Sequence, residues 1–424
     1  MSTAVLFVVF FGLLLIGVPI AISLGLSAMI ALLAFTDTPL MVLVQKTFSG
    51  IDSFTLLAIP LFILSGNVMS AGGVSQRLVN FASCIFGHYR GGLAQVLTAA
   101  CTFFGAISGS APATAAAIGS VMIKPMVKKG YPVKFAAACT AASGVIGLLI
   151  PPSVTMVVYG VISGASIGKL FLGGIIPGII MSAVIMTTNY FIAKKLNLGR
   201  EKKATFKESS VSFKKAFWAI LMPVIILGGI YGGIFTPTES AIVAAVYGIL
   251  VGKFIYKELN FKELVRQIGA TTSSSATLMF LVATAQCFSY FMASEEIPES
   301  IARGLLTLSS NPTVVLCLIC IVLLIVGTFL DNVIAILLLA PIFAPVITSL
   351  GIDPVYFGII MVITLAIGQI TPPVGTTLFV ACNISGLSLE NLTSGVWAYL
   401  LMMMLPIVLI IAFPSIVMLI PNMM

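Results

Sequence analysis

Four polar islands interrupt an otherwise apolar sequence, and their residue types define the chemistry on offer. Two are double-proline breaks, Ser143-Gly144-Val145-Ile146-Gly147-Leu148-Leu149-Ile150-Pro151-Pro152-Ser153-Val154-Thr155 and Gly368-Gln369-Ile370-Thr371-Pro372-Pro373-Val374-Gly375-Thr376-Thr377. A proline within a helix has no amide to donate and frees the carbonyl four residues earlier. Unwound carbonyls with Ser and Thr hydroxyls form a cage of hard oxygens that suits sodium. The amide-rich start of the next half-helix attracts an anionic group. For either break taken singly, a ligand-free kink is the alternative. The third island, Gly105-Ala106-Ile107-Ser108-Gly109-Ser110-Ala111-Pro112-Ala113-Thr114, suits the turn of a re-entrant hairpin, tolerated at membrane depth only where it is buried in protein or lines a cavity. A phosphate-binding loop would need a Gly-Lys-Ser/Thr that does not follow. In the fourth, Gly327-Thr328-Phe329-Leu330-Asp331-Asn332, Asp331 is the only charge between Arg303 and Asp353. A carboxylate at the centre of a membrane helix costs roughly 2.5 to 3.5 kcal/mol on insertion scales, so it needs a reason to be there. Either it helps to hold a cation or the solute, or it caps the next half-helix, and the two are compatible.

The islands come in pairs. Gly147-x-x-x-Pro151-Pro152-x-x-Thr155 recurs as Gly368-x-x-x-Pro372-Pro373-x-x-Thr376, a shift of 221 residues. Gly105 and Gly327, Ser110 and Asn332, Pro132 and Pro354, and Ile162-Ser163-Gly164 and Ile384-Ser385-Gly386 are each 222 apart, and Gly130 and Gly351 are 221 apart. The chain therefore contains one unit twice. Prolines interrupting apolar segments at matching places in both halves point to a midplane binding site in a secondary transporter.

Composition dictates what carries these islands. Of 424 residues 59% are hydrophobic and 8% charged, with a mean hydropathy of +1.18, so no soluble globular surface can be made. The expected fold is all-α and polytopic, with long apolar stretches near residues 4–35, 54–71, 92–123, 170–193, 216–235, 268–293, 313–348 and 392–420. The N-terminal run lacks a preceding basic region and a small-residue cleavage signal, which predicts a retained first helix. Seven scattered cysteines and a single histidine, His88, in a loop-like Gly87-His88-Tyr89-Arg90-Gly91-Gly92 stretch exclude a His/Cys metal centre and a Ser-His-Asp mechanism. The net charge of +8 resides in short loops and forms no nucleic-acid-binding face.

Charge also orients the halves. Lys194, Lys195, Arg200, Lys202, Lys203, Lys207, Lys214 and Lys215 make residues 194–215 a cytoplasmic linker. Lys253, Lys257, Lys262 and Arg266 mark a second cytoplasmic segment, so residues 216–252 cross and return, turning at Thr236-Pro237-Thr238-Glu239. There Thr236 reads as a helix cap and Glu239 as its capping-box partner. The loop from Lys124 to Lys134 is basic whereas its counterpart, Thr348 to Pro354, has no basic residue. Equivalent loops then face opposite sides, the mark of inverted-topology repeats. The resulting layout is repeat 1 over 1–193 (hairpin 1 about 92–125, broken helix about 133–164), the linker 194–215, and repeat 2 over 216–424 (hairpin 2 about 313–347, broken helix about 354–386). The hydroxyl run Thr271 to Ser275 reads as helix packing.

At these islands the chain resembles the large membrane subunit of tripartite ATP-independent periplasmic (TRAP) transporters, over nearly its whole length. The Ser108-to-Thr114 tip, the Gly147-to-Ser153 break and the Gly368-to-Thr376 break carry the likeness. The resemblance implies an elevator-type carrier of the ion-transporter superfamily in the bacterial inner membrane, with hairpins and broken helices in a mobile domain. It implies sodium as coupling ion, two or more per cycle, and no nucleotide. Two partners follow, a small four-helix membrane subunit on another polypeptide and a periplasmic solute-binding protein. One sodium site would lie between Ser108, Gly109 and Ser110 and the break at Gly144, Gly147 and Pro151. A second would lie between Gly327 and Thr328 and the break at Gly368 and Thr371. Solute, a C4-dicarboxylate, sialic acid or other organic acid, would touch Ser110, Ser153, Thr155, Asp331, Asn332, Thr376 or Thr377.

Other classes make different demands. A channel or ATP-driven permease subunit should show sodium-independent flux or need a nucleotide-binding partner, and an intramembrane enzyme needs a nucleophile and base that do not converge here. A standalone sodium-coupled dicarboxylate symporter of the same architecture is the nearer alternative.

Overall fold

A computed structural model describes residues 2–36, 38–309 and 311–423. These residues are helical, and no strand occurs among them. In order the helices are α1 (Ser2–Leu15), α2 (Ile20–Phe35), α3 (Leu40–Ile51), α4 (Ala58–Ala71), α5 (Val74–Phe86), α6 (Gly92–Ser108), α7 (Ala111–Lys128), α8 (Val133–Gly144), α9 (Ile146–Leu149), α10 (Val154–Ser163), α11 (Ile167–Lys195), α12 (Phe206–Tyr231), α13 (Pro237–Leu250), α14 (Phe261–Ser294), α15 (Ile297–Leu308), α16 (Pro312–Phe329), α17 (Asn332–Ser349), α18 (Pro354–Gly368), α19 (Thr376–Ser385), α20 (Leu389–Ala412) and α21 (Ser415–Met418). Among the described residues eight helices are long and apolar enough to cross a membrane, or nine if α8, α9 and α10, bent by 43° at the first double proline, count as one span.

Side-chain oxygens start the helices where the sequence placed turn chemistry. Thr236 accepts from the Glu239 amide at 3.3 Å while the Glu239 carboxylate accepts from the Thr236 amide at 2.7 Å, so the capping box read from the sequence is present and α12 and α13 form the expected pair. An identical box, Thr205 with Glu208, opens α12 inside the basic linker.

Helices α6 and α7 form one antiparallel hairpin whose two open ends meet the same linker segment. The Gly91 amide donates to the Gly199 carbonyl at 3.2 Å, and Lys129 pairs with Glu201 at 2.7 Å. Helices α16 and α17 form the second hairpin, and its open end lies elsewhere. Thr348 and Ser349 share a cavity with Pro298 and Glu299, beside the far end of α14. The near end of α14 is on the linker side, where Arg77 pairs with Glu258 at 2.7 Å and Tyr256 donates to the Lys215 carbonyl at 3.0 Å. Thirty-four residues of α14, roughly 50 Å at 1.5 Å per residue, separate the two faces. The hairpins therefore enter from opposite sides, and the repeats are inverted.

Packing between the repeats is reciprocal. Helix α19 lies on α7 and α8, and its counterpart α10 lies on α17 and α18; α20 lies on α8, and α11 on α18. Within each repeat the hairpin meets its broken helix at a pair of glycines. A Cβ on Gly105 would stand 2.9 Å from the Gly147 Cα, and one on Gly368 would stand 2.6 Å from the Gly327 Cα. Neither contact can be relieved by a side-chain rotation, because the obstacle is backbone. Alanine at Gly105 or Gly368 should therefore part hairpin from break, costing about 1–3 kcal/mol as overpacking does and lowering the melting temperature in detergent. Gly269→Ala, in an equally helical but open place, should be neutral or slightly stabilising; equal melting temperatures for all three variants would refute the close-packing account.

Candidate functional site

Each glycine pair brings a hairpin tip to a break, and the first junction is built around Ser108, Ser110 and Gly147. Helix α6 ends at Ser108 and α7 is capped by Ser110, whose hydroxyl accepts from the Ala113 amide at 3.4 Å. The Ser108 hydroxyl is 2.6 Å from that of Thr114, and a Cβ on Gly147 would fall 2.3 Å from Thr114 Oγ1 and 2.8 Å from the Ser110 carbonyl oxygen. Hydroxyl and carbonyl oxygens thus converge where the helix is about to break. Beyond the cis Pro151-Pro152 bond, the Val154 amide donates to the Gly109 carbonyl at 3.4 Å, and Ser153 caps α10 while bonding Thr155 Oγ1 at 2.8 Å. Gly144 lies against α7 and the other repeat: a Cβ there would meet Ala115, the Ala111 carbonyl and Thr377. It joins the first junction to the start of α19 in the other repeat.

The second junction repeats the plan with a carboxylate added. The Gly375 amide donates to the Thr328 carbonyl at 3.1 Å, the counterpart of Val154 on Gly109, and the Pro372-Pro373 bond is again cis. The Gly368 carbonyl takes the Thr371 amide at 2.9 Å, while the Thr371 and Thr328 hydroxyls donate to the carbonyls of Ile367 and Ile325. Asp331 caps α17, accepting from the Val333 amide at 3.0 Å through one oxygen and from Gln369 Nε2 at 3.1 Å through the other. Gln369 in turn accepts the Thr377 hydroxyl at 3.1 Å. Capping is therefore one role of Asp331, and both its oxygens keep acceptor capacity. Asn332 is fully buried, yet neither its amide oxygen nor its nitrogen has a partner, and Thr376 Oγ1 is also buried and unpaired. A buried polar group left without a partner costs about 1–3 kcal/mol.

Two cavities flank this core. One of about 570 Å³ runs from Ser108 and Ser110 at the first tip, past Asn67, Ser70 and Ser274, to Ser120 on α7. Ser70 lies next to the linker-side end of α4 and Ser120 lies down α7 towards Lys128, so the cavity leads from the tip to the linker face. The other, of about 640 Å³, lies by α15 at the opposite face and reaches along α17 only to Ala340, short of the second tip. The first tip thus opens towards the linker face.

The sequence-predicted residues fall into four groups. Ser108, Ser110 and Gly147 are brought together, as are Gly327, Thr328, Gly368 and Thr371; Asp331, Asn332, Thr376 and Thr377 surround the second tip; Ser153, Thr155, Gly109 and Pro151 line the first break. Sequence reasoning did not single out Thr114 and Gln369, although both lie inside the islands, three and one residues past Ala111 and Gly368. Asn67 and Ser70, on α4, carried no signal at all. The run Thr271 to Ser275 divides: Thr271 accepts from Asn67 Nδ2 at 2.9 Å, which is packing, while Ser274 lines the cavity.

Comparison with known proteins agrees with this plan. The family model described as "Tripartite ATP-independent periplasmic transporter, DctM component" matches residues 7–416. The C4-dicarboxylate TRAP transporter large permease protein DctM of Rhodobacter capsulatus is 38% identical over 436 residues, covering 100% of this chain and 99% of the relative. The isethionate TRAP transporter permease protein DctMQ of Oleidesulfovibrio alaskensis is 45% identical over 407 residues, covering 96% of this chain and 64% of the relative. Among solved structures, the YdaH transporter of Alcanivorax borkumensis superposes with a TM-score of 0.65 at 15% identity, over 88% of this chain and 87% of that one, a likeness of fold alone. With paired hairpin-to-break junctions, inverted repeats and a family match along almost its full length, the chain belongs to the DctM family, the large permease subunits of TRAP transporters, and is a non-enzymatic protein of the bacterial inner membrane.

Proposed function

We propose that this permease couples the inward movement of sodium to import of a small organic anion, by carrying both on a unit that slides against a fixed scaffold. The observation that carries the reading is the pair of mirrored junctions, each offering backbone and hydroxyl oxygens at a helix break, with the unpartnered Asn332 amide buried beside one of them. Oxygen cages of this kind hold sodium, and the half-helix amides that begin α7, α10, α17 and α19 favour an anion between them. C4-dicarboxylates and sialic acid fit as carboxylates. Isethionate, named for one relative, is a sulfonate, so a small organic anion is the better description of the solute class.

An elevator movement is supported by how the helices group. Helices α6–α11 pack with α16–α20, and α2, α3 and α4 pack with α13 and α14, while α5 lies on both α6 and α12. Short amphipathic helices lead from the second group into each hairpin, α5 into hairpin 1 and α15 into hairpin 2. The linker-side cavity lies on the seam between the groups. Energetics need no nucleotide. A charge crossing about 100 mV is worth about 2.3 kcal/mol, so two sodium ions with a monoanion support roughly fifty-fold accumulation before any sodium gradient is added.

The decisive measurement is uptake into proteoliposomes containing the chain, its small membrane subunit and its binding protein. An inward sodium gradient should drive accumulation, replacing sodium by potassium should reduce it at least tenfold, and omitting either partner should do the same. Sodium-driven uptake by this chain alone would favour the standalone symporter. For Asp331, Ala should abolish or severely slow uptake while the protein still inserts. Asp331→Asn keeps a good helix cap and removes only the charge, so a tenfold or greater loss there assigns the charge itself, and normal uptake with unchanged sodium dependence counts against any role in binding.

A further inference from the structure

One buried polar network lies beside the junctions and is used by neither. Tyr399 on α20 donates its hydroxyl proton to the amide oxygen of Asn189 on α11. The Asn189 amide nitrogen donates to Thr98 Oγ1 at 2.8 Å and to the Ala94 carbonyl at 3.2 Å, both on α6. Thr98 Oγ1 lies 2.8 Å from Ser143 Oγ on α8. All four side chains are fully buried. They join four helices and both repeats, and the chain of bonds ends at the residue before Gly144.

Repeat 2 has only a weaker counterpart. The residues 222 after Thr98 and 221 after Ser143 are Cys320 and Thr364. The Thr364 hydroxyl donates to the Ile360 carbonyl of its own helix at 2.7 Å and approaches Cys320 Sγ only at 3.9 Å. The breaks differ in the same sense. Pro151, Pro152 and Ser153 are buried, whereas Thr371, Pro372 and Val374 are half-buried and Pro373 is exposed.

We infer that Tyr399, Asn189, Thr98 and Ser143 are positioning residues that hold the first double-proline break against the first hairpin tip, so that the first cation site is the pre-organised one of the pair. This rests on the sodium-coupled reading above. Ser143 sits on the last turn of α8, four residues before Gly147, which packs on Gly105 and beside Thr114 and the Ser110 carbonyl. A shift of α8 moves that junction directly. Binding constellations must be held within about 0.5 Å of their productive geometry, and fully satisfied buried networks supply that rigidity because every broken bond leaves an orphan in a low dielectric.

Tyr399→Phe keeps the ring and removes one hydroxyl, leaving the Asn189 amide oxygen without its donor. Sodium titrations of uptake by the whole reconstituted transporter, paired with sodium-dependent thermal stabilisation of the purified complex, read the site in two ways. Half-saturating sodium should rise at least fivefold in both, while half-saturating solute at saturating sodium stays within twofold. Thr364→Val, which removes the counterpart hydroxyl, should shift sodium less than twofold. If Tyr399→Phe fails to accumulate in the membrane, Ser143→Ala makes the same test at the other end of the network. A folded variant with the wild-type sodium titration, or an equal shift from Thr364→Val, overturns the inference and leaves sodium coupling standing; a wild-type transporter indifferent to sodium overturns the coupling itself.

Discussion

A helix that stops halfway across a membrane leaves amides and carbonyls unpaired where no bulk water can satisfy them. In each half of this permease a hairpin tip and a snapped helix meet, and each supplies part of what the other lacks. The Val154 amide finds the Gly109 carbonyl, and the Gly375 amide finds the Thr328 carbonyl. Such bonds require the backbones to touch, and only glycine permits that approach: Gly105 lies on Gly147, and Gly327 on Gly368. Beside the second junction the Asn332 amide and the Thr376 hydroxyl are left without a partner after this mutual pairing.

The linker marks one face of the inverted pair. The basic stretch between the repeats stays on one side and meets the open end of hairpin 1, while the open end of hairpin 2 lies by the far end of α14. Two consequences are structural. The half-helices α10 and α19 cross over to pack on the opposite repeat's hairpin arm, which welds the two breaks into one body. The contact of Gly144 with Thr377 is the closest expression of that weld. The pseudo-symmetry is not complete in its chemistry, since one repeat places Asp331 and Gln369 at its junction and the other a hydroxyl pair, Ser108 with Thr114.

Much of the architecture was legible because membrane constraints are severe. Long apolar runs can only be helices, paired prolines can only break them, and a polar tip at mid-run can only turn inside protein. Thr236 and Glu239 announced a helix start from residue type and spacing, and the structure places both bonds there. The residues that sequence reasoning passed over fail that local test. Asn67 and Ser70 are ordinary in their own helix and acquire meaning from facing the first tip across a cavity. Tyr399 and Asn189 are 210 residues apart and nothing in either segment signals the other.

By itself the sequence determined that the chain is a membrane protein made of one unit used twice, where its helices must snap, and which charges keep the linker on one face. Those are properties of composition, spacing and local backbone chemistry. Only the tertiary structure decided that Asp331 spends its oxygens on a helix cap and on Gln369, that Asn332 is buried without a partner, that a cavity leads from the first tip to the linker face, and that a hydrogen-bonded chain runs from Tyr399 to Ser143. Each of these depends on which side chains from distant segments share a few ångströms of space, and spacing along a chain does not encode that distance.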